Sequence, residues 1–270
     1  MLTREIDKAL YESYSDDIPQ LLKKIYAARS VTESQLSMAL PGLLKPSFDQ
    51  LSIALDLLQK CIEEDRRILI VGDFDADGAT ASVVAIKALR LMGAKYVDFL
   101  VPNRFKHGYG LSPEIVNEAK LEKEPNLIIT VDNGISSNEG AALARSLGID
   151  VIITDHHLPP KELPDANAII NPNLRGCDFP SKNLAGVGVC FYLFSSLKTH
   201  LDSIGYFEKN KIKVPDLRVL LDLVALGTVA DVVKLDQNNR ILVNEGIKRI
   251  RQKKCSKGIL AILELTKRPI

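Results

Sequence analysis

The chain has 270 residues, of which 46% are hydrophobic and 26% are charged, and its formal net charge is +1. This composition indicates a globular protein of one large or two small domains, and it excludes a strongly basic nucleic-acid coat protein, though not a local basic groove. The four cysteines show no paired spacing, so we expect free thiols in a reducing cytosol. The sequence contains no signal peptide and no apolar run of transmembrane length, so we expect a cytoplasmic protein without a membrane partner.

The first 45 residues predict an N-terminal helical arm. Apolar residues recur at helical spacing between positions 21 and 26, and Thr32 with Gln35 matches a capping box. We expect this arm (1–45) to pack on a main domain that spans 46–270, and to have no functional role of its own.

Strand and helix patterns alternate along the main domain. Apolar runs predict strands at 67–72, 96–101, 127–131, 150–154 and 167–170. Helical periodicity predicts helices at 48–64, 79–92, 112–122, 138–147, 187–203, 216–227, 239–252 and 258–266. This alternation, with strands that are apolar throughout, is typical of βαβ units. We therefore predict an α/β fold: an open, mainly parallel sheet covered by helices on both faces, followed by a helical C-terminal part.

Three carboxylates at alternate positions follow the first predicted strand. They are Asp73, Asp75 and Asp77, and Gly78 closes the loop. Two like charges 4 Å apart repel by about 1 kcal/mol even in bulk water. A positive charge is therefore expected at this loop, and a divalent cation is the simplest candidate.

Three other interpretations of this loop are possible. Asp77 could be only the N-cap of the next helix, but that explains one carboxylate of the three. An EF-hand calcium loop needs a glutamate at position 12, where this chain has Val84, and a helix in front, where it has a strand. A dinucleotide-binding turn would place glycines at these positions, since carboxylates repel a pyrophosphate unless metal ions lie between.

Two further strands and one helix also end in potential ligands. Asp132 follows the third strand, Asp155-His156-His157 follows the fourth, and Asp231 follows an apolar helical stretch. Each alone has a structural explanation, as a turn, a hydrogen-bonded histidine or a helix-end aspartate. The carboxyl ends of parallel strands meet at one edge of the sheet, which is where ligands bind in such folds. Together these residues predict one site.

The residue types at this site indicate the metal and the reaction. Carboxylates with an imidazole and no thiolate favour Mn²⁺ or Mg²⁺ over structural zinc. The set is large enough for two ions that share Asp132, at the spacing of about 3.5–4 Å found in two-metal hydrolases. Because successive side chains of an extended segment point opposite ways, we expect only one of His156 and His157 to be a ligand. The predicted reaction class is metal-assisted phosphoester hydrolysis.

These motifs resemble the DHH phosphoesterase superfamily, named for its Asp-His-His signature. Within it, the chain is similar to the RecJ family of 5′→3′ single-strand-specific DNA exonucleases, which hydrolyse DNA to 5′-mononucleotides in repair and recombination. The segments that carry this resemblance are Val71–Thr80, Val101–Phe105, Gly108–Pro113, Val131–Ser136, Leu184–Val189 and Leu226–Asp231.

The resemblance implies roles for individual residues. It implies metal ligands at Asp75, Asp77, Asp132, His156 and Asp231, with Asp132 as the bridge. It also implies that His157 contacts the scissile phosphate and that Asp155 orients a histidine. Much of the superfamily has a histidine where this chain has Val71, so Asp73 is a further expected ligand.

Four residues are candidates for contacts to the DNA. Arg104 could hold a phosphate and Tyr109 could stack on a base, although both could belong to an ordinary surface loop. Gly186 and Gly188 stand at a predicted helix start, where free amides could meet a phosphate. Tight helix–sheet packing explains these glycines equally well. The basic run at 248–254 is interpreted as a solvated helix face rather than a DNA groove.

The resemblance also defines partners and alternatives. It implies single-stranded DNA with a 5′ end as substrate, and a single-strand-binding protein and a helicase as partners. RecJ-like proteins continue into DHHA1 and OB-like domains that this sequence lacks, so we expect weak activity from these residues alone. The alternatives are a DHH phosphodiesterase or pyrophosphatase acting on small substrates, and a non-catalytic DNA-binding scaffold.

Overall fold

A computed structural model describes residues 4–267, apart from the side chains of residues 104 and 106. Its sheet has five parallel strands in the order β2-β1-β3-β4-β5. The strands are β1 (Ile68–Gly72), β2 (Val97–Leu100), β3 (Leu127–Val131), β4 (Asp150–Thr154) and β5 (Ala168–Ile170). In register, Ile68 of β1 lies beside Val97 of β2 and Leu127 of β3. Each predicted strand is confirmed to within a residue or two of its ends.

Helices surround this sheet. They are α1 (Lys8–Ser13), α2 (Gln20–Ala27), α3 (Leu51–Glu63), α4 (Ala76–Leu91), α5 (Arg104–His107), α6 (Pro113–Glu122), α7 (Asn138–Ser146), α8 (Gly186–Ser203), α9 (Tyr206–Lys209), α10 (Leu221–Ala230), α11 (Gln237–Arg251) and α12 (Lys257–Thr266). Short 3₁₀ helices lie at Glu33–Leu36, Leu40–Gly42 and Leu217–Leu220. Within residues 4–267, no helix combines the length and apolarity that crossing a bilayer requires.

The core lies on both faces of the sheet. One face is covered by α3, α4 and α8, and α10 packs on α4 and α8. Residues Leu58, Val84, Phe194 and Val224 of these four helices share one buried cluster. The other face is covered by α6 and α7, and there Ile115 and Ala144 pack against the sheet. Strands β1 and β3 are buried at every residue because helices cover both sides. The predicted α/β architecture is therefore confirmed.

Helix starts differ from the prediction where a side chain caps them. The helix predicted from position 79 begins at Ala76, because the Asp75 carboxylate accepts a hydrogen bond from the Gly78 amide and forms the N-cap. In the same way Asp236 caps α11, which begins at Gln237 instead of position 239. Capping aspartates therefore extend both helices by two or three residues beyond their apolar periodicity.

The N-terminal segment lies against α11. Its predicted capping box between Thr32 and Gln35 is present. The backbone carbonyl of Ser34 accepts a hydrogen bond from Gln237, and the Leu44 amide donates to Asn238 at 3.1 Å. These contacts are those of an arm on a main body, and the division at residue 45 stays a prediction.

Strand order determines where a ligand can bind. From β1 the chain crosses to β2 on one side, and later returns to form β3 on the other side. In open α/β sheets this reversal opens a crevice outside the carboxyl ends of the two adjacent strands. Here those strands are β1 and β3, and the residues that follow them are Asp73 and Asp132.

Candidate metal centre

The carboxyl edge of the sheet brings seven acidic and histidine side chains together. They form three overlapping groups, and within each group the potential ligand atoms all lie within 4.8 Å of one another. The groups are Asp132, His156 and His157; Asp77, His156 and Asp231; and Asp73, Asp75 and Asp132. Asp132 and His156 each belong to two groups, so the arrangement offers overlapping positions for more than one cation.

The loop after β1 places its aspartates by two different mechanisms. Asp75 is the N-cap of α4, so the first turn of that helix fixes its position. Asp77 lies inside the first turn and is 1% exposed. Its carboxylate accepts hydrogen bonds from the backbone amides of Gly186 at 2.6 Å and Val187 at 2.9 Å, at the start of α8. The N-cap is therefore Asp75, and the N-cap role considered for Asp77 is wrong.

Asp132 is held in an unusual backbone conformation directly after β3. Its φ is +62°, in the left-handed region that non-glycine residues seldom adopt. The next residue, Asn133, stabilises this turn by donating to the carbonyls of Val71 in β1 and Val131 in β3. Asn133 thus ties the two strands together at the crevice, and it fixes the turn from which the Asp132 carboxylate enters the site.

Three buried atoms of the clustered acidic and histidine side chains lack a hydrogen-bond partner. They are Asp132 Oδ1, His156 Nε2 and Asp231 Oδ2. His156 Nε2 lies 3.2 Å from Asp132 Oδ1 and 3.7 Å from Asp231 Oδ2. Buried polar atoms are normally satisfied, and leaving one unsatisfied costs about 1–3 kcal/mol. A divalent cation would satisfy all three, so these residues fit the predicted metal.

The pKa values of the aspartates reflect the same charge imbalance. Burial, together with the carboxylates of Asp75 and Asp155, raises the pKa of Asp132 to about 8. Burial and the neighbouring Asp132 likewise raise the pKa of Asp77. Burial raises the pKa of Asp231, although His156 opposes this shift. The protein without a cation therefore disfavours ionisation of the very carboxylates that a cation needs.

The residues after β4 have distinct roles. Asp155 is 1% exposed and belongs to none of the three groups. Its Oδ1 lies 2.7 Å from His157 Nδ1, and its Oδ2 accepts a hydrogen bond from the Ile135 amide. Burial opposes ionisation of Asp155, but hydrogen bonds from His157 and Ile135 outweigh it and lower its pKa. Asp155 therefore orients His157, whose side chain is half exposed.

His156 and His157 lie closer together than the alternation rule predicts. Their ring centroids are 4.5 Å apart, and both rings enter the group around Asp132. Strand β4 ends at Thr154, so the histidines stand on an irregular segment where side chains do not alternate. The expectation that they point opposite ways is thus wrong, and which of them is a ligand stays a prediction.

Two asparagines that the sequence analysis missed hold this histidine segment. Asn171 Nδ2 donates to the carbonyl of His157 at 2.9 Å, and Asn173 Nδ2 donates to the carbonyl of His156 at 2.6 Å. Both follow β5 at the same edge of the sheet. The available signal was the Asn-Pro-Asn sequence directly after the fifth predicted strand, because the rule for strand ends applies to that strand as well.

The structure also locates the two predicted DNA contacts Tyr109 and Arg104, and Val71. Tyr109 meets the site, with its ring edge-on to His157 at 6.3 Å between centroids. Burial and nearby Asp73 raise the pKa of Tyr109. Arg104 begins α5, but its side chain lies outside the described part of the chain. Val71, at the position of the superfamily histidine, is a buried residue of β1.

Gly186 and Gly188 differ in their surroundings at the start of α8. The Gly186 amide already donates to Asp77, so the free amide that the prediction requires is absent. A Cβ at Gly186 would lie 2.4 Å from Asp132 Oδ1, whereas one at Gly188 would meet only the Leu184 side chain at 3.1 Å. The Gly186 amide is therefore not free to meet a phosphate, whereas a DNA contact at Gly188 stays a prediction. Gly186 is needed because α8 approaches the Asp132 carboxylate closely.

The chain belongs to the DHH family. Its residues 67–228 match the family described as "DHH family, N-terminal domain". This range contains six of the seven clustered side chains, and Asp231 lies three residues beyond its end.

Among characterised proteins, the chain is similar to single-stranded-DNA-specific exonucleases called RecJ. It is 54% identical to the RecJ of Salmonella typhimurium over 256 residues, which cover 93% of this chain and 44% of that protein. It is 53% identical to the RecJ of Escherichia coli over 269 residues, covering 98% of this chain and 46% of the relative. The chain thus spans less than half the length of these curated relatives.

The chain is also similar to solved structures of RecJ proteins. RecJ of Thermus thermophilus in complex with Mn²⁺ superposes with a TM-score of 0.72 at 31% identity, covering 95% of this chain and 34% of that one. A second exonuclease RecJ, bound to manganese, has a TM-score of 0.68 at 35% identity and covers 83% of this chain and 53% of that one.

Proposed function

We propose that this chain is the catalytic part of a metal-dependent 5′→3′ exonuclease. Its substrate is single-stranded DNA with a 5′ end, which it hydrolyses to 5′-mononucleotides in DNA repair and recombination. Two divalent cations, Mn²⁺ or Mg²⁺, act as cofactors.

One observation carries this proposal: three unpartnered buried ligand atoms converge at the switch point of the sheet. Oxygen-rich sites with imidazole suit Mn²⁺ and Mg²⁺. The choice of single-stranded DNA as substrate rests on the similarity to proteins named as single-stranded-DNA-specific exonucleases. The choice of metal is supported by relatives whose structures were solved with Mn²⁺.

The residues that would hold the cations are assigned from the clustered groups. One position uses Asp77, His156 and Asp231, and the other uses Asp75 and Asp132, with Asp73 as a further ligand. Asp132 would bridge the two positions: it belongs to the group of Asp73 and Asp75, and its Oδ1 lies 3.2 Å from His156 Nε2 of the other position. When bound, the cations supply positive charge to the phosphoryl group and lower the pKa of a water molecule.

The chain's own residues then bind and orient the substrate. With Nδ1 of His157 engaged by Asp155, its Nε2 is available to a nonbridging phosphate oxygen. The buried carboxylate stabilises the imidazolium form, which can donate that hydrogen bond as charge accumulates on the phosphate. Tyr109 lies beside this histidine and offers an exposed ring face on which a base can stack. Arg104 is the proposed contact for a further phosphate.

The cytoplasm is the proposed location, and all four cysteines are free. A single-strand-binding protein and a helicase are partners proposed from the resemblance alone. Weak turnover by these 270 residues alone also stays a prediction.

Comparative turnover tests this proposal. The purified chain is incubated with Mn²⁺ and a 5′-phosphorylated single strand, a duplex, a dinucleotide or inorganic pyrophosphate. We expect mononucleotide release from the single strand only, and release about 10³-fold slower by Asp132→Asn. Preferred turnover of pyrophosphate or the dinucleotide would favour the small-substrate alternative. Absence of Mn²⁺ binding by calorimetry would favour the non-catalytic scaffold.

A further inference from the structure

A pocket lined by both apolar and basic side chains lies at the opposite end of α4. It is a concavity of about 500 Å³. Its polar lining consists of Lys87 and Arg90 from α4, Arg249 from α11, and Lys254 and Ser256 from the connection between α11 and α12. We call it the basic pocket.

In the described part of the chain, no acidic residue lines the basic pocket, although the Asp98 and Asp216 carboxylates lie near enough to interact electrostatically with Arg90 and Arg249. None of the four cations forms an ion pair within residues 4–267. Arg90 donates to the carbonyl of Val97, which is neutral. Arg249 Nε is buried without a hydrogen-bond partner.

A buried carboxylate beneath the pocket is already engaged. Asp222 is fully buried, and its Oδ2 accepts hydrogen bonds from the Ser256 amide at 2.6 Å and the Ser256 hydroxyl at 2.7 Å. Ser256 is also the N-cap residue of α12, and its side chain caps no backbone amide there. The positive end of the α12 dipole therefore adjoins the pocket. Asp98 and Asp216 are already paired with Lys123 and Arg218. Apart from them, only Asp222 among the described residues opposes the four cations, which leaves a positive excess.

A solvated helix face, the interpretation given to 248–254, does not describe this arrangement. Lys248 does point outward and pairs with Glu245 at 2.6 Å, as a solvated lysine should. Arg249, one position further, instead buries its Nε at the pocket. The last-turn position of Arg90 suits the helix dipole, but that dipole does not explain why cations from three segments converge.

The chemistry of the pocket matches a phosphate ester. Converging like charges repel, and an anion placed among them removes that cost. Arginine presents a planar fork that matches phosphate oxygens, and lysine adds a point charge. Ten residues of α4 separate Asp77 from Lys87, which corresponds to roughly 15 Å along the helix axis. A phosphate bound here is thus distinct from one at the metal centre.

We propose that the basic pocket binds a phosphate ester, away from the metal centre. The strand backbone and a released mononucleotide share this chemistry, and identifying either as the source rests on the proposed function. A strand in the pocket adds affinity for single-stranded DNA, whereas a nucleotide makes it a product-binding site.

The test measures binding in EDTA, where hydrolysis plays no part. Anisotropy of a labelled oligothymidylate is recorded against salt for the wild type and for the double variant Lys87→Gln/Lys254→Gln. Both lysines are exposed, so the variant should fold. The matched control is Lys60→Gln/Lys209→Gln, which removes two exposed lysines from α3 and α9, outside the pocket. Thymidine monophosphate and inorganic phosphate are titrated in parallel.

If the strand is the source, the pocket variant loses roughly tenfold in oligonucleotide affinity at low salt, and the salt slope falls by about 0.7 per lost phosphate contact. The control then changes by less than about twofold. If thymidine monophosphate is the source, it binds the wild type more tightly than inorganic phosphate does, and the pocket variant loses that binding. Equal effects of the two variants on every probe would overturn the proposal.

Failure of the proposed function is recognised separately. Asp132→Asn should retain the pocket's binding while losing hydrolysis. A chain that never hydrolyses DNA, yet loses phosphate-ester binding in the pocket variant, supports the pocket and contradicts the exonuclease.

Discussion

Helix α4 separates two regions of opposite charge. At its N-terminus, carboxylates converge with His156 and leave buried ligand atoms without partners. At its C-terminus, Lys87, Arg90, Arg249 and Lys254 converge without ion pairs among residues 4–267. Both clusters lack a counter-ion, but they differ in burial. The acidic ligands Asp77 and Asp132 are 1% and 2% exposed, whereas Lys87 and Lys254 are open to solvent.

This difference in burial predicts how each region depends on its ligand. Buried charges are screened little by salt, so the acidic edge should require an ion held in a defined geometry. Exposed charges are screened strongly, so the basic pocket should respond to salt and tolerate altered geometry. The contrast between the buried acidic edge and the exposed basic pocket can be tested by substitution and by pH.

The largest effect is expected from Asp132→Asn. This substitution removes the charge common to two of the ligand groups. Loss of several kcal/mol of transition-state stabilisation corresponds to a fall in Mn²⁺-dependent hydrolysis of about 10³-fold. Above pH 8, where Asp132 would carry a buried repulsive charge, the same variant in EDTA should melt at an equal or higher temperature. Lower stability without Mn²⁺ would show that Asp132 is a structural residue.

A smaller effect is expected from a substitution that displaces the Asp132 carboxylate without removing its charge. Gly186→Ala forces the Asp132 carboxylate or α8 to shift, because the new Cβ would lie 2.4 Å from Asp132 Oδ1. We expect about 10²-fold lower activity and weaker Mn²⁺ binding by calorimetry. Gly188→Ala is the control in the same helix, where the Leu184 side chain can move. Equal activity of the two variants would mean that the acidic edge tolerates displacement.

The next prediction concerns the backbone of the histidine segment. Asn173→Ala removes the donor to the His156 carbonyl, and partners that orient ligands typically contribute about 10–100-fold. We expect a loss of about tenfold in Mn²⁺ affinity. Asn138→Ala removes a comparable bond, from Asn138 to the Glu162 carbonyl, outside the cluster. A similar loss in both variants would assign Asn173 to general stability.

The last prediction concerns the pH dependence of stability, which tests the acidic edge. The folded-state pKa of Asp132 is raised to about 8, above the unfolded value of about 3.9. The folded state therefore binds the extra proton between these values, so stability in EDTA falls as pH rises through this window. From pH 5.5 to 7.5 we expect a loss of about 2 kcal/mol by urea denaturation.

The same measurement with Mn²⁺ sharpens the contrast. Protons compete with the cation for the carboxylates, so stabilisation by Mn²⁺ should grow as pH rises. Asp132→Asn should flatten the pH dependence in EDTA. An unchanged slope in that variant would attribute the dependence to other groups.

The sequence predicted the fold and the acidic edge well, for an identifiable reason. Parallel strands that are apolar throughout define their own ends, and Asp73, Asp132 and Asp155 follow those ends directly. Strand order could not be read from local patterns, because it depends on which strands pair. The family resemblance, rather than periodicity, linked Asp231 to the same site.

Interactions between distant segments explain what the sequence analysis missed. The Gly186 amide lies against Asp77, 109 positions away in the chain, so its engagement was invisible locally. The basic pocket draws cations from α4, α11 and the following connection. A run of basic residues indicated charge but not that Arg249 turns inward. Both features depend on tertiary packing, which the spacing of residues along the sequence does not show.

The contact between Asp77 and α8 gives this protein an internal reporter of cation occupancy. The Asp77 carboxylate that is proposed to bind a cation also accepts the first two amides of an 18-residue core helix. A cation that withdraws electron density from this carboxylate must alter those hydrogen bonds. The chemical shifts of the Gly186 and Val187 amides should therefore follow a titration with diamagnetic Mg²⁺, and they would reveal loading before any substrate is added.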